Sequence, residues 1–460
     1  MVSFFSHAFV LFAASVLAAN VHSANLVDIY QLAINNDPRY QGSQAAYQAA
    51  QEEKRQAQAL LLPTVNFAAN LNKNSWNTIA SPTVPVGNDN FSSGAYELSL
   101  NQPLINYDYF RQLRQSDYRV GAAQATLSAA DQALTLRVAE RYFGLLSAVD
   151  NLGSVRVEKE ATERQLKQAR QRFEVGMAAM TDVHESQAAF DLVVAQEIIA
   201  ENQLASEQGA LAEITGHYVD QLSPLAVEIP LLAPEPADID KWQETALMNN
   251  FELIATQLDY QHAREEIKRQ RAGHMPTLEL VAAHQYYDES GRSGGESESR
   301  NQKIGLQLNL PLFAGGATSS RTRQAHHVAD QYRETYEASR RATLRQTRDA
   351  YLTVLADIKT VNALKQVVIS AKAALNATTA GVVAGTRTTT DLLNARRELF
   401  RKQRDHSRAR YNYILQTLRL KQAAGILAAA DLERINGWLQ VRDVAGEADT
   451  LLKLSSYQQP

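Results

Sequence analysis

Residues 382–400 read VVAGTRTTTDLLNARRELF, and residues 172–183 read RFEVGMAAMTDV. Each places a glycine, Gly385 or Gly176, six positions ahead of an aspartate, Asp391 or Asp182, with a threonine directly before the aspartate. Glycine ends helices in left-handed backbone, and Thr and Asp open them. Each stretch therefore predicts a tight turn between two helices, with Thr181, Asp182, Thr390 and Asp391 as caps and Asp182 with Glu185 at capping-box spacing. Outward from the turns the chain is free of helix breakers: residues 317–380 contain no Gly or Pro, and neither do residues 386–424. At 1.5 Å per residue the first run gives an unbroken helix of roughly 95 Å, far beyond the three turns of an ordinary globular helix. Apolar residues recur at steps of three and four, as in Leu134, Val138, Tyr142, Leu145, Val149 and Leu152, and again in Tyr351, Val354, Ile358, Val361 and Val368. A one-sided stripe on a charged helix is the coiled-coil pattern, so these helices stand in water and pack side by side.

The paired turns belong to a wider duplication. Ala33-Ile34-Asn35-Asn36-Asp37 matches Ala246-Leu247-Met248-Asn249-Asn250 at an offset of 213, and Leu62-Pro63-Thr64 matches Met275-Pro276-Thr277 at the same offset. Gln102-Pro103-Leu104 matches Leu310-Pro311-Leu312 at 208, and the two turns match at 209. The chain is two copies of one unit: helix, two strand-like runs, two very long helices. They join near Pro224 to Asp240, where four prolines cluster. The expected organisation is a first repeat over 25–215, a linker over 216–245, a second repeat over 246–424 and a C-terminal segment over 425–460, with strand hairpins at 62–104 and 276–313.

The strand-like runs alternate. Val65, Phe67, Ala69 and Leu71 interleave with Asn66, Ala68, Asn70 and Asn72; Tyr96, Leu98 and Leu100 with Glu97, Ser99 and Asn101. In the second copy Leu278, Leu280 and Ala282 interleave with Glu279, Val281 and Ala283, and Ile304, Leu306, Leu308 and Leu310 with Gly305, Gln307 and Asn309. Period two gives one apolar and one polar face. Between the runs, residues 73–90 and 288–302 read as polar loops, and Trp76, Phe91, Tyr286, Tyr287 and Phe313 gather at the ends as interfacial girdles would.

The first 24 residues carry no Asp, Glu, Lys or Arg, and Ala8 to Ala19 form an apolar run of export-signal length, too short to span a bilayer. The expectation is a cleaved signal peptide over 1–24, cut after Ser23 or Ala24. No other segment has 18 consecutive apolar residues, so an embedded form must use strands in a closed barrel. Four strands cannot close, since barrels begin at eight. Copies of the chain must pool them: two would give eight strands and three twelve. Net charge is −4 with pI near 6.2, which excludes a global basic surface for nucleic acid, and there is no cysteine.

These residues resemble the TolC family of outer-membrane efflux and secretion channels. The resemblance runs through NLVDIYQLAINNDPRY (25–40), LLLPTV (60–65), NQPLINYDYF (101–110), the first turn, LNLPLFAGGATSS (308–320), the second turn, and ARYNYILQTLRLKQAAGIL (409–427). It implies a mainly α fold with membrane β: a long helical-hairpin α-barrel, and four transmembrane strands per protomer completing a twelve-stranded β-barrel in a homotrimer. It also implies an equatorial collar from residues 216–245 and 425–452, outer-membrane lipid around the strands, and a large periplasmic portion. As partners it implies a periplasmic membrane-fusion adaptor and an inner-membrane efflux pump or secretion ATPase. The implied function is a passive exit duct, for efflux of small molecules or type I protein secretion, with no enzymatic step and no cofactor.

The resemblance assigns roles at the second turn. Asp391 matches the first of two acidic rings at the periplasmic entrance; the second ring position is Asn394. Arg387 matches the arginine that pairs with Thr181 and Asp182 of the first turn and holds the entrance closed, while the tyrosine five residues earlier is Val382. Gly176 and Gly385 make the turns.

Other signals point elsewhere and are weak. His262, His274, His284, His326 and His327 lack zinc-type spacing and read as surface histidines. Gly315-Gly316 lacks the Lys and Ser/Thr of a phosphate loop and reads as a strand-to-helix bend. The basic run Arg401 to Arg410 reads as a solvated or subunit-facing stripe. No nucleophile or acid–base cluster stands out. The rival readings are a periplasmic coiled-coil adaptor or structural protein, which would not need four half-apolar strands, and a secreted enzyme, which would need a catalytic cluster.

Overall fold

A computed structural model describes residues 23–440 except 81, 84–85, 220 and 292–294. The expected export signal, its cleavage site apart from Ser23 and Ala24, and residues 441–460 lie outside the described residues. In chain order the elements are α1 (Leu26–Asn36), α2 (Pro38–Ala59), β1 (Thr64–Thr78), β2 (Gly87–Ile105), α3 (Tyr107–Glu174), α4 (Met180–Thr215), α5 (Ile239–Asn249), α6 (Phe251–Ala272), β3 (Thr277–Ser290), β4 (Ser297–Asn309), α7 (Ala317–Val383), α8 (Thr389–Ala423) and α9 (Ala429–Asn436).

The duplication holds element by element. α1 and α5 have 11 residues each, α2 and α6 have 22, α3 and α7 have 68 and 67, and α4 and α8 have 36 and 35. Two helices, not one, precede the strands in each unit. The reason lies in the duplicated Asn-Asp motif, whose last residue leaves helical backbone and caps a second helix. Asp37 accepts from the Arg39 and Tyr40 amides at 2.8 and 2.9 Å, and Asn250 accepts from Leu253 at 2.9 Å. Pro38 stands in the first turn of α2, where its missing N–H costs nothing. Gly425, with φ +73°, closes α8 against this corner: a Cβ there would lie 2.1 Å from the Asn249 carbonyl oxygen.

At mid-length of α3, beside the C-terminal ends of α4 and α8, the described residues form a large core. Leu26 and Ile29 of α1, Tyr142 and Phe143 of α3, Leu211 and Ile214 of α4, Tyr413, Ile414 and Leu418 of α8, and Leu432 of α9 meet there in full burial. The linker and the C-terminal segment enclose it: Ala24 bridges Leu222, Leu225 bridges Leu439, and the Gln440 amide donates to the Pro224 carbonyl at 2.8 Å. Tyr142 ties the layers by donating to the Ser223 carbonyl at 2.7 Å, and burial pushes its hydroxyl above the ordinary tyrosine range.

The four strands form one antiparallel sheet in the order β1-β2-β3-β4, with β2 and β3 joining the two repeats. The strands are longer than the alternation predicts. Most of 73–90 and 288–302 is paired, with β1 running to Thr78, β2 starting at Gly87, β3 running to Ser290 and β4 starting at Ser297. Ladder hydrogen bonds need only backbone, so Asn, Ser and Lys side chains do not end a strand where the apolar pattern stops.

Candidate functional site

The register puts the apolar residues of all four strands on one face. Val65, Phe67 and Leu71 stand opposite Leu100, Leu98 and Gly94; Leu100 opposes Ala282; Leu278, Leu280 and Ala282 oppose Leu308, Leu306 and Ile304. Among the described residues nothing covers this face: Leu71 is 90% exposed and Ile304 78%. In water each such side chain would forgo about 1.5–3 kcal/mol of burial. Along the strands the apolar run covers roughly 20–27 Å at about 3.4 Å per residue, the height of the band on a membrane barrel. The other face is polar and internally bonded. Gln285 donates to Glu97 at 3.0 Å and Asn101 to Glu279 at 3.2 Å. β1 and β4 end the sheet with an unpaired edge each. No helix among the described residues is long and apolar enough to cross a membrane.

The aromatic girdle is only partly as expected. Tyr286 lies on the apolar face, stacked on Tyr96 at 5.1 Å, which in turn stacks on Phe67 at 6.3 Å. Trp76, Phe91 and Tyr287 lie on the polar face, because the ladder keeps strict alternation through Asn74↔Phe91, Trp76↔Asp89 and Ala95↔Tyr287. Phe313 follows β4 and is exposed.

At the far end of the helices are the two turns. α3 ends at Val175, Gly176 takes φ +74°, and the Met177 amide reaches back to the Arg172 carbonyl at 2.7 Å. α7 ends the same way, with Gly385 at φ +73° and the Thr386 amide on the Gly381 carbonyl at 2.8 Å. This is the six-to-one closure that left-handed glycine allows. The caps fall differently from the expectation. Thr388, not Thr390 or Asp391, is the N-cap of α8, and Asp391 is its partner three residues on: Thr388 N–H to Asp391 at 3.0 Å, Asp391 N–H to the Thr388 hydroxyl at 3.1 Å. In the first turn the N-cap is Ala179, so Asp182 returns only half of the exchange, accepting from the Ala179 amide at 3.3 Å, and the Asp182–Glu185 box does not form. The turns place the helix starts two or three residues earlier than the Thr-Asp pairs suggest.

The Thr388 amide, then its hydroxyl, then the Arg387 charge hold the Asp391 carboxyl below the usual carboxylate range. Asn394, one turn on, is exposed. Arg387 is exposed and folds back over Gly381, whose missing side chain leaves it room. Among the described residues no hydrogen bond or ion pair joins Arg387 to Thr181 or Asp182. Instead the hydroxyl of Thr390 donates to the carboxylate of Glu185, directly linking the two turns. No motif announced this pair. The one available signal was the repeat register, in which Glu185 corresponds to Asn394.

The basic run on α8 is a solvated stripe only in part: Arg401 and Arg408 are exposed, while two other arginines turn toward neighbouring elements. Arg404 reaches the buried Glu158 of α3 at 3.3 Å and Arg410, itself buried, donates to the Val227 carbonyl at 2.9 Å, because α8 packs against α3 and the linker. Of the histidines read as surface residues, His262 and His284 are half-buried, the latter 5.9 Å from the Tyr96 ring. Gly315 and Gly316, at φ +58° and +79°, make the bend into α7. Among the described residues no group of three or more His, Cys, Asp or Glu could hold a metal.

The sequence profile of the family described as outer membrane efflux protein matches residues 29–217 and 242–426, one segment per repeat. Outer membrane protein TolC of Vibrio cholerae is 37% identical over 437 residues, covering 94% of this chain and 98% of that protein. The alkaline protease secretion protein AprF of Pseudomonas aeruginosa is 32% identical over 435 residues, covering 91% and 88%. The crystal structure of the CmeC outer membrane channel of Campylobacter jejuni superposes with a TM-score of 0.76 at 17% identity, covering 90% of each chain, which is a likeness of fold.

Proposed function

The chain belongs to the outer membrane efflux protein family, and from that premise we propose that three copies pool their strands into one twelve-stranded barrel and their helices into a periplasmic duct. It is an outer-membrane channel of efflux and type I secretion. Its work is conduction without a catalytic step, and an inner-membrane efflux pump or secretion ATPase, coupled through a periplasmic adaptor, supplies the energy. Residues 1–24 are removed on export. Residues 25–215 and 246–424 are the two repeats, and 216–245 with 425–460 supply the collar and tail.

One observation carries this reading: a four-stranded sheet with an uncovered apolar face, a bonded polar face and two open edges. In hydrocarbon each unpaired edge would leave several backbone groups unsatisfied, at several kcal/mol apiece. Joining β4 of one copy to β1 of the next removes every edge. A mass measurement on the detergent-solubilised particle should return three chains. Two chains would mean eight strands, and a monodisperse monomer in detergent-free buffer would refute the membrane reading altogether.

Asp391 lines the periplasmic entrance as its acidic ring, and with Asn394 at the second position the cation preference is weaker than two rings would give. Arg387, whose side chain bonds neither Thr181 nor Asp182 of its own chain, pairs with Thr181 and Asp182 of a neighbouring copy when the entrance is closed. Asp391→Ala in a reconstituted bilayer should lower cation preference; an unchanged reversal potential in a salt gradient would remove Asp391 from the filter.

A further inference from the structure

Three aromatic side chains stand on the wrong face of the sheet for packing against lipid. Alternation through the ladder puts Trp76 of β1, Phe91 of β2 and Tyr287 of β3 on the polar face, near the hairpin ends and away from the helices. Burial does not account for all of them: Phe91 is 7% exposed, but Tyr287 is 38% and Trp76 57%. With the apolar face toward lipid, these rings look into the pore at its outer mouth.

The same rungs carry carboxylates. Asp89 stands directly opposite Trp76, and Glu289 opposite Ser93, the next residue after Phe91 on this face. Glu289 accepts from the Tyr287 hydroxyl at 2.7 Å, and the Asn74 amide donates to the Ser93 hydroxyl at 2.9 Å. Opposed residues in a ladder lie about 5 Å apart and diagonal ones about 7–8 Å, within reach of aromatic side chains. Trp76, Asp89, Phe91, Glu289 and Tyr287 therefore form one continuous strip across three strands. Among the described residues the only lysine or arginine on this face of the sheet is Lys303, opposite Ala283 and about 14 Å down the strand from Tyr287. Lys73 and Arg300 alternate onto the apolar side.

We propose that this strip is a binding site for organic cations that carry an aromatic ring, met by solutes as they leave the pore. Exposed indole and phenol faces stack on a planar ring and attract positive charge, and the carboxylates favour the same sign. An aromatic anion gains the stacking but is opposed by Asp89 and Glu289. A small cation without a ring gains the charge alone. The inference rests on the channel reading above and places the site at the opposite end of the molecule from Asp391. Three copies present three such strips around the mouth.

The test uses the full-length protein in planar bilayers, with assembly of each variant checked by particle mass and block read as the fraction of current lost. Phenyltrimethylammonium added on the side of the hairpin ends should block. Tetramethylammonium, which lacks the ring, and benzenesulfonate, of similar shape and opposite charge, should block more weakly. Trp76→Leu keeps apolar bulk without the ring face and should raise the half-blocking concentration about two- to fivefold, the size of an exposed cation–π contact. Trp76→Phe should stay close to the parent, Asp89→Asn should weaken the block, and Lys303→Gln should tighten it. Binding is also read without current. Trp242 is buried and Trp438 half-buried, so Trp76 is the exposed indole among three tryptophans. N-methylpyridinium, an aromatic cation that quenches indole, should quench the detergent-solubilised parent saturably, and Trp76→Phe should lose that component. Benzenesulfonate blocking as well as phenyltrimethylammonium, parental block in Trp76→Leu, or quenching without saturation would each overturn the site. Saturable quenching in a parent that carries no current would count against the channel reading and leave the site standing.

Discussion

The collar and the hairpin turns are built on the same four long helices, yet they hold together by opposite means. At the collar α3, α4 and α8 meet through Tyr142, Phe143, Leu211, Ile214, Tyr413, Ile414 and Leu418, all but removed from water. Near the turns the buried side chains are few and mostly small, among them Ala169, Val183, Ser186, Leu392 and Leu393, and the rest of the contact is caps, glycine closures and exposed hydrogen bonds such as Thr390 to Glu185 and Arg170 to Gln187. Burial is worth kilocalories per side chain and exposed polar contacts a fraction of that. The difference places rigidity at the collar and freedom at the turns.

The largest way to break this contrast is to attack the collar. Tyr142→Ala removes a fully buried ring and its bond to the Ser223 carbonyl, and should cost about 3–5 kcal/mol, seen as a lower midpoint in thermal unfolding followed by helical circular dichroism. If the midpoint moved no further than for a substitution at a turn, the collar would not be the anchor.

Alkaline pH tests the same region without mutation. Burial raises Tyr142 and Tyr411, and the neighbouring Asp150 carboxylate raises Tyr411 further. Below the ordinary tyrosine value of 10.0 both states keep the proton, so the full stability is present. Above it the unfolded chain ionises while the folded one does not, and stability falls as pH rises. Ultraviolet titration should show these two phenols silent until the protein unfolds. Their ionising with the exposed tyrosines would mean that the collar is wet.

Much of this was legible in the sequence, and the reasons are physical. The long helices showed because breakers are absent from 317–380 and 386–424, and the sheet because Ile304 to Leu310 alternates without fault. Gly176 and Gly385 were readable because left-handed backbone selects glycine. The length of the strands was not, since Lys73 to Thr78 join a backbone ladder that an apolar pattern does not register. The second leading helix was missed because Asp37 and Asn250 cap through local geometry that periodicity does not register. Thr390 with Glu185 was invisible because residues 205 positions apart meet only once two hairpins are docked.

The finest test compares the two turns with each other. The second has a full capping exchange through Thr388 and Asp391; the first has Ala179 where the hydroxyl should be, and Asp182 answers alone. Removing the hydroxyl by Thr388→Ala should cost about 1 kcal/mol, and supplying it by Ala179→Ser should return about 0.5–1 kcal/mol, both confined to the first turn of one helix. Amide hydrogen exchange reads this directly. In the parent, the amides of Leu392 and Leu393 should be better protected than those of Val183 and His184. Each substitution should narrow the gap from its own side, and the collar amides should not change. Equal protection in the parent would show that neighbouring copies, not the caps, set the order of the turns, and the softness assigned to the ends of the helices would then belong to the assembly and not to the chain.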